Sequence, residues 1–371
     1  MKVIEITSSF PDAKAGGVPT YVHGRATYLS KIADVKVLGL GDEDMSSKRP
    51  NNDISRVEEV KLGNVNVFRK NFLSVWINLI KYIIKNPADK IEVHNIPVGF
   101  PIFLFFPIQA TYFFHGPAHL EAKIEGKSKF QQNFNFIIES LCILFSKDIA
   151  CVSPSFIDLL KKEHRLICSF KKIKLRTPKL FFKDSEKKVS KMVDDNERIV
   201  FVCIRRLVHR TGILSLLEAI LLLKEKSMWT DRHELLIIGS GPLENTIMMF
   251  INENKLSKTV KLLGRVDDAS RNEIFRYATA NVVPTVGLEG FGLVVVEAAF
   301  EGCPSIVTDI GGLPFVINKL NGMGRVCNPS VSGIAESLMD TKFLSSIDRQ
   351  RLKKCSRLKF SANHRIDKLK N

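Results

Sequence analysis

Apolar and polar positions change period several times within the first forty residues. KVIEIT (2–7) is a short apolar run, and FPDAKAGGVP (10–19) is rich in turn-forming residues. TYVHGRATYLSKIA then repeats its apolar positions every three to four residues, and VKVLGLG is again a short apolar run. A strand, a crossover helix and a parallel strand in so short a span predict a doubly wound α/β unit. Gly16 and Gly17 fall where the loop enters the helix, so backbone N–H groups are expected to face a ligand there.

Residues 72–87, FLSVWINLIKYIIKNP, place Leu73, Trp76, Ile80, Ile83 and Ile84 on one helical stripe, with Lys81 and Lys85 off it. Such a helix either packs on a sheet or, with its Trp and lysines, lies at a membrane surface. IEVHNIP and ATYFFHG read as strands, the second ending at His115. The most apolar segment, 98–114, holds two prolines and falls short of the about 20 residues of a membrane span. It reads as a loop or helix end running into a buried strand. Residues 177–198 are charged and poorly periodic, and mark a linker.

A second alternation follows. RIVFVCI, HELLIIG, TVKLLG, ANVVPT and PSIVTD read as strands, with helices over 213–226, 243–254 and 270–279 and in LVVVEAAFEG between them. Residues 333–371 read as helical and basic, without a strand. The expected organisation is an N-terminal unit over 1–180, a C-terminal unit over 181–345 and a basic helical tail over 346–371. Two doubly wound units bind ligands at the carboxyl ends of their strands, in a cleft.

Composition narrows the class. A length of 371 residues, 45% hydrophobic and 25% charged, suits a globular chain of two domains. Seven cysteines form no C-x-x-C pair and several sit in apolar runs, which favours reduced, buried thiols over a disulfide framework. The net charge of +16 asks for anionic partners. It concentrates in 158–191, with twelve Lys/Arg against four Asp/Glu, and in 340–371, with ten against three. These runs read as solvated faces or as anionic-surface contacts. They lack interleaved aromatics and a recognition motif, so nucleic acid is not the expected partner. MKVIEITSSF has no apolar leader core, which points to a cytoplasmic protein, docked peripherally at most on the anionic inner face of the plasma membrane.

The richest candidate chemistry lies in PTVGLEGFGLVVVEAAFEG, 284–302. A strand ends, a short loop carries Glu289, Gly290, Phe291 and Gly292, and a helix starts near Leu293. The glycines admit close approach of a ligand, and the first helical N–H groups sit at the positive end of the helix dipole. Glu289 and Glu297 stand too far apart for a carboxylate dyad and lack a third metal ligand, so they read as two grips on one polyol. Arg206 begins a loop after a buried strand, a suitable place for a forked cation aimed at phosphate. The D-x-D run Asp42-Glu43-Asp44 reads as a solvated acidic turn, so no metal is expected.

The pattern E-G-F-G-L-x-x-x-E, with G-x-P and G-G downstream, resembles the signature of the family-four retaining glycosyltransferases (glycosyl transferases group 1). GGVPTYV, FHG at 114–116, CVSPSFIDLLKK, IRRLVHRTGILSLLEAI, IIGSGP and VKLLGRVDDASRNEIFRYATANVVPT resemble that family's other segments, in order, over most of residues 1–320. The resemblance implies a GT-B fold, two Rossmann-like domains facing each other across a cleft. It implies transfer of a sugar, with retention, from a UDP- or GDP-sugar to a glycan or lipid-linked acceptor in cell-surface polysaccharide synthesis, without a cofactor or metal. Glu297 would bind the ribose, while Glu289 with Phe291, Gly292 and Leu293 would hold the donor sugar and distal phosphate. Arg206 would pair with the diphosphate, and Val266 would lie against the base. Gly16 and Gly17 would cap the diphosphate from the other domain, and His115 would sit near the transferred sugar. The catalytic set is then Glu289, Arg206 and His115.

Three departures stand out: Thr211 where the family has a lysine, Phe315 where it often has a glutamate, and no PNGVD turn near the domain junction. They leave two alternatives beside an active transferase: a GT-B protein that binds a nucleotide sugar without efficient transfer, and a GT-B epimerase.

Overall fold

The computed structural model describes residues 1–8, 17–40, 57–63, 71–180, 198–340, 344 and 346–362. Gly16, Asp42-Glu43-Asp44 and most of the 177–198 linker lie outside the described residues. The described residues up to Leu180, with Ser361 and Ala362, form one compact unit, and those from Arg198 to Phe360 form another.

The first unit holds a seven-stranded sheet of order β3-β2-β1-β4-β5-β6-β7, every pairing parallel. Its strands are β1 (Lys2–Ile6), β2 (Asp34–Leu40), β3 (Val57–Gly63), β4 (Lys90–Val93), β5 (Ala110–Phe114), β6 (Asp148–Cys151) and β7 (Ile173–Leu175). The second holds six parallel strands in the order β10-β9-β8-β11-β12-β13. These are β8 (Ile199–Ile204), β9 (His233–Ile238), β10 (Val260–Gly264), β11 (Ala280–Val283), β12 (Ser305–Thr308) and β13 (Arg325–Cys327). Alternate residues of one strand feed two cores. Phe201 and Cys203 join Leu235, Ile237 and Val282 in one, and Val200 and Val202 join Leu236 and Ile238 in the other. Burial on both faces requires the near-continuous apolar runs that make these strands legible. The expected doubly wound class is what the chain adopts. Four strands are not marked by the pattern: β3, β7 and β13, which lie at sheet edges, and β6, a four-residue strand between β5 and β7; β7 and β13 are three residues long.

Helix boundaries follow local chemistry. The strand expected over IEVHNIP stops at Val93, because Asn95 accepts from Val98 N and Pro97 follows it, starting a helix Ile96–Phe105. That helix fills the apolar segment expected to be a loop or helix end, and β5 follows as expected. The helix Phe72–Lys85 is turned relative to the expected stripe. Val75, Leu79 and Ile83 are buried, whereas Leu73 and Ile84 are exposed, and Trp76 Nε1 donates to Pro97 O at 2.9 Å. Within the segment read as a tail, the helix Arg349–Phe360 belongs to the second unit. Arg349 donates to the carbonyls of Phe275, Arg276 and Ala278, and Phe360 packs on Phe291. All seven cysteines are free and buried, as expected. Among the described residues no helix is long and apolar enough to cross a membrane.

Candidate functional site

In an open parallel sheet, ligands bind outside the carboxyl ends of the strands where the strand order reverses. In the second unit that point lies between β8 and β11, whose following loops are tied together. Arg210 donates from its guanidinium to Leu288 O at 2.8 Å, and its own carbonyl accepts from Val286 N and Gly287 N. Gly212 has φ +73°, and a Cβ there would lie 1.8 Å from Pro284 O, so the loops close over a bare backbone.

Both loops end in helices that begin at a left-handed glycine with no side-chain cap. Gly212 precedes Ile213–Glu225, and Gly292 (φ 82°) precedes Leu293–Phe300. Elsewhere Asn95, Ser128, Ser153, Asp267 and Ser330 cap their helices. Uncapped N-termini at the switch point leave N–H groups for an anionic ligand.

Glu289 sits at the head of this arrangement. Its Oε1 accepts from Gly292 N at 3.1 Å and its Oε2 accepts from Arg205 Nη2 at 2.5 Å. Arg205 Nη1 is buried and lacks a hydrogen-bond partner. The pattern selects Arg206 as the cation. Arg206 is exposed, with no side-chain hydrogen bond or ion pair among the described residues, while Arg205, which the pattern does not single out, faces Glu289. Thr211 is buried and bonds the carbonyls of its own loop, Arg206 O at 2.8 Å and Val208 O at 2.6 Å. It closes the loop instead of supplying charge.

The remaining second-unit residues cluster on one side. Phe291 is buried against Phe315 and Phe360. Glu297, half-buried, meets Arg271 at 3.9 Å. Val266 packs on the same core as Val294, from the helix that carries Glu297.

The first unit places a different chemistry at its own switch point, between β1 and β4. Glu5 and Glu92 are both buried there. Arg25, from the helix Gly17–Leu29, bonds both oxygens of Glu92 and lies 3.5 Å from Glu5; Lys90 pairs with Glu92. Glu5 bonds His94 Nε2, and His94 Nδ1 meets His115 Nε2 at 3.0 Å. Tyr21 and Phe113 pack against both rings. Of the two residues expected from this unit, His115 ends this chain of contacts and Gly17 starts the helix that carries Arg25.

Burial, and then the charge of Glu92, push the Glu5 carboxyl well above its usual range. Burial raises Glu92 as well, but Arg25 and then Lys90 outweigh it and hold that carboxyl far below its usual range. Burial lowers both imidazoles, His94 strongly and His115 to about 4. Glu5 Oε2, His94 and His115 Nε2 form one hydrogen-bonded chain in which burial favours the uncharged forms.

A pH profile follows with a definite sign. Below about pH 6.5 the unfolded chain protonates the two rings while the folded unit keeps them neutral, so stability falls on acidification toward pH 4. From the ordinary carboxylate pKa up to its raised folded value, the proton that only folded Glu5 retains makes stability fall as pH rises, by roughly 1 kcal/mol per pH unit, and so offsets part of the gain from the two rings. Denaturant unfolding from pH 5 to 6 should therefore show stability falling on acidification, and Glu5→Gln should steepen that fall because the opposing proton is gone. A Glu5→Gln profile that superimposes on the wild type rules out this proton assignment.

Two parallel, doubly wound sheets, each with its polar groups at the switch point, define the GT-B class of fold. Sucrose-phosphate synthase from Thermosynechococcus elongatus superimposes with a TM-score of 0.76 over 97% of this chain and 95% of that one, at 17% identity. HepE of Anabaena in complex with UDP-glucose gives 0.71 over 98% and 96%, at 15% identity. Residues 184–358 match the family model "Glycosyl transferases group 1". The phosphatidyl-myo-inositol mannosyltransferase of Mycobacterium leprae is 34% identical over 110 residues, 30% of this chain and 28% of that protein. The chain spans about a third of the length of the curated relatives it matches.

Proposed function

We propose that the protein is a retaining glycosyltransferase. It moves a sugar from a nucleotide diphosphate sugar, held by the second unit, to a glycan or lipid-linked acceptor taken by the first. The observation that carries this reading is the Glu289 carboxylate, fixed by Arg205 and Gly292 N–H beside two uncapped helix N-termini at a switch point. A carboxylate held in this way accepts hydroxyls in a set orientation, and the N–H groups with Arg206 offset the charge of a departing diphosphate. Glu297, on the next turn of the same helix, reaches the ribose. Transfer on the face that the diphosphate leaves lets the leaving phosphate take the acceptor's proton, so no carboxylate pair is needed, and we expect no metal requirement for the donor. A lipid-linked acceptor and a cytoplasmic protein docked on the inner leaflet accord with the exposed Phe72, Leu73, Ile77 and Ile84 beside Lys81 and Lys85.

The test is a panel of UDP- and GDP-sugars given to the purified chain, with and without anionic liposomes carrying lipid-linked acceptors. Turnover of one donor is the expected result. Tight binding of a donor without hydrolysis or transfer would favour the non-transferring alternative, and no binding of any nucleotide sugar would remove the reading altogether.

A further inference from the structure

A second polar cluster lies away from both switch points, beneath the loop that follows His115. His119 opens the helix Ala118–Ile124, Glu139 lies on the helix Lys129–Phe145, and His164 joins the helices Pro154–Glu163 and Arg165–Cys168. Glu139 and His164 are fully buried and His119 is half-buried. The separations in sequence are twenty and twenty-five residues, so no metal-binding motif is visible along the chain.

The hydrogen bonds around the cluster decide which atoms face inward. His119 Nε2–H donates to Glu163 Oε2 at 2.9 Å, and His119 Nδ1 is buried without a hydrogen-bond partner. The Ser140 hydroxyl donates to Phe136 O at 2.8 Å, so its oxygen accepts from His164 Nδ1–H at 3.1 Å. His164 Nε2 is then a lone pair, and it faces Glu139 Oε2 at 3.2 Å. The other oxygen of Glu139 accepts from Tyr112 OH at 2.9 Å and from Ala118 N at 3.5 Å, an arrangement that favours the ionised carboxylate. Three atoms therefore converge: His119 Nδ1, His164 Nε2 and Glu139 Oε2. The positive charge between them comes either from a proton on an imidazole or from a bound cation.

The spacing suits a metal ion. Glu139 Oε2 is 3.2 Å from His164 Nε2 and 3.8 Å from His119 Nδ1, and all three donor atoms lie within 4.8 Å of one another. Donors at the usual distance from a tetrahedral zinc ion stand about 3.4 Å apart. Each would-be ligand also has its far atom held by a supporting group: Glu163 for His119, Ser140 for His164 and Tyr112 for Glu139. Metal-binding imidazoles and carboxylates are oriented in this way. The other group of clustered ligand types, Glu5, Glu92 and His94, already has Arg25 and Lys90 to supply positive charge. Among the described residues no arginine or lysine pairs with Glu139.

We propose that His119 Nδ1, His164 Nε2 and Glu139 Oε2 bind one zinc ion, with a fourth position open to water along the accessible edge of His119. Two imidazoles and one carboxylate favour zinc over calcium or magnesium, which prefer oxygen ligands. The ion ties the helix immediately after the His115 loop to the two helical segments beneath it. Its role is to hold that loop in place, independently of whether the second unit transfers a sugar.

The experiment uses the full chain, stripped with a chelator, given zinc, desalted and assayed for metal content. About one zinc per chain is expected in the wild type, falling at least tenfold in His119→Gln and in Glu139→Gln, and unchanged in His94→Gln. Cobalt(II) in place of zinc should give the intense visible bands of a four-coordinate site in the wild type but not in His119→Gln. His119 is partly exposed, so this variant keeps its fold, which circular dichroism checks. Zinc should raise the unfolding midpoint of the wild type and leave that of His119→Gln unmoved. A wild type that retains no zinc, a His119→Gln variant that retains as much as the wild type, or zinc lost only in His94→Gln each overturns the proposal.

Discussion

Glu289→Ala should lower sugar transfer by about 100-fold or more, the usual cost of removing one fixed polar group that acts in the transition state. Nucleotide affinity should change by less than about threefold, because the carboxylate faces the loop glycines and Arg205, not the part of the helix assigned to the ribose. Glu297→Ala should show the converse, weakening nucleotide binding by about tenfold through the loss of a charged hydrogen bond. The same geometry makes Arg205 inseparable from Glu289. Arg205→Ala frees the carboxylate to rotate, so the double variant should be little worse than either single one. Equilibrium binding of the nucleotide, measured beside single-turnover transfer, separates these effects. Additive losses in the double variant would mean that Arg205 acts on the ligand directly, and wild-type transfer by Glu289→Ala would remove the carboxylate from the mechanism.

Arg25→Met should destabilise the first unit by about 3–5 kcal/mol. The Arg25 side chain is 12% exposed, and the Glu5 and Glu92 side chains that it serves are 0% exposed. Its removal leaves the buried Glu92 carboxylate with only Lys90 beside it, and the penalty is chiefly that of uncompensated buried charge. A buried ion pair replaced as a whole by apolar groups loses little, so Arg25→Met combined with Glu92→Leu should recover much of the deficit, with Lys90, 27% exposed, free to turn to solvent. The chain has two tryptophans, Trp76 in the first unit and Trp229 in the second. In a Trp229→Phe background, denaturant unfolding followed by Trp76 fluorescence reports the first unit. A loss below about 1 kcal/mol for Arg25→Met would show that Lys90 or water carries the charge balance instead.

The two sites differ in how far the sequence announces them. The loop 289-EGFG-292 and its helix are contiguous, so glycine placement and the following apolar run are enough to mark an uncapped helix N-terminus. The choice between Arg205 and Arg206 is not legible. Adjacent residues leaving a strand point to opposite sides, and only the path of the loop after β8 decides which one meets Glu289. The helix Phe72–Lys85 misleads for a related reason: apolar residues occupy most of its length, so its period fixes a helix but not the angle at which it docks.

Glu5, His94 and His115 come from β1 and from the ends of β4 and β5, neighbours only because the sheet order is β1-β4-β5. His119, Glu139 and His164 meet only because three helical segments pack together. The doubly wound class, the strands buried on both faces and the glycine loop of the second unit follow from the order of residues along the chain, because period and backbone freedom are local properties. Strand order, side-chain direction at strand ends and both buried polar clusters arise only in the assembled fold, because burial and hydrogen bonding act between residues that the chain does not place side by side.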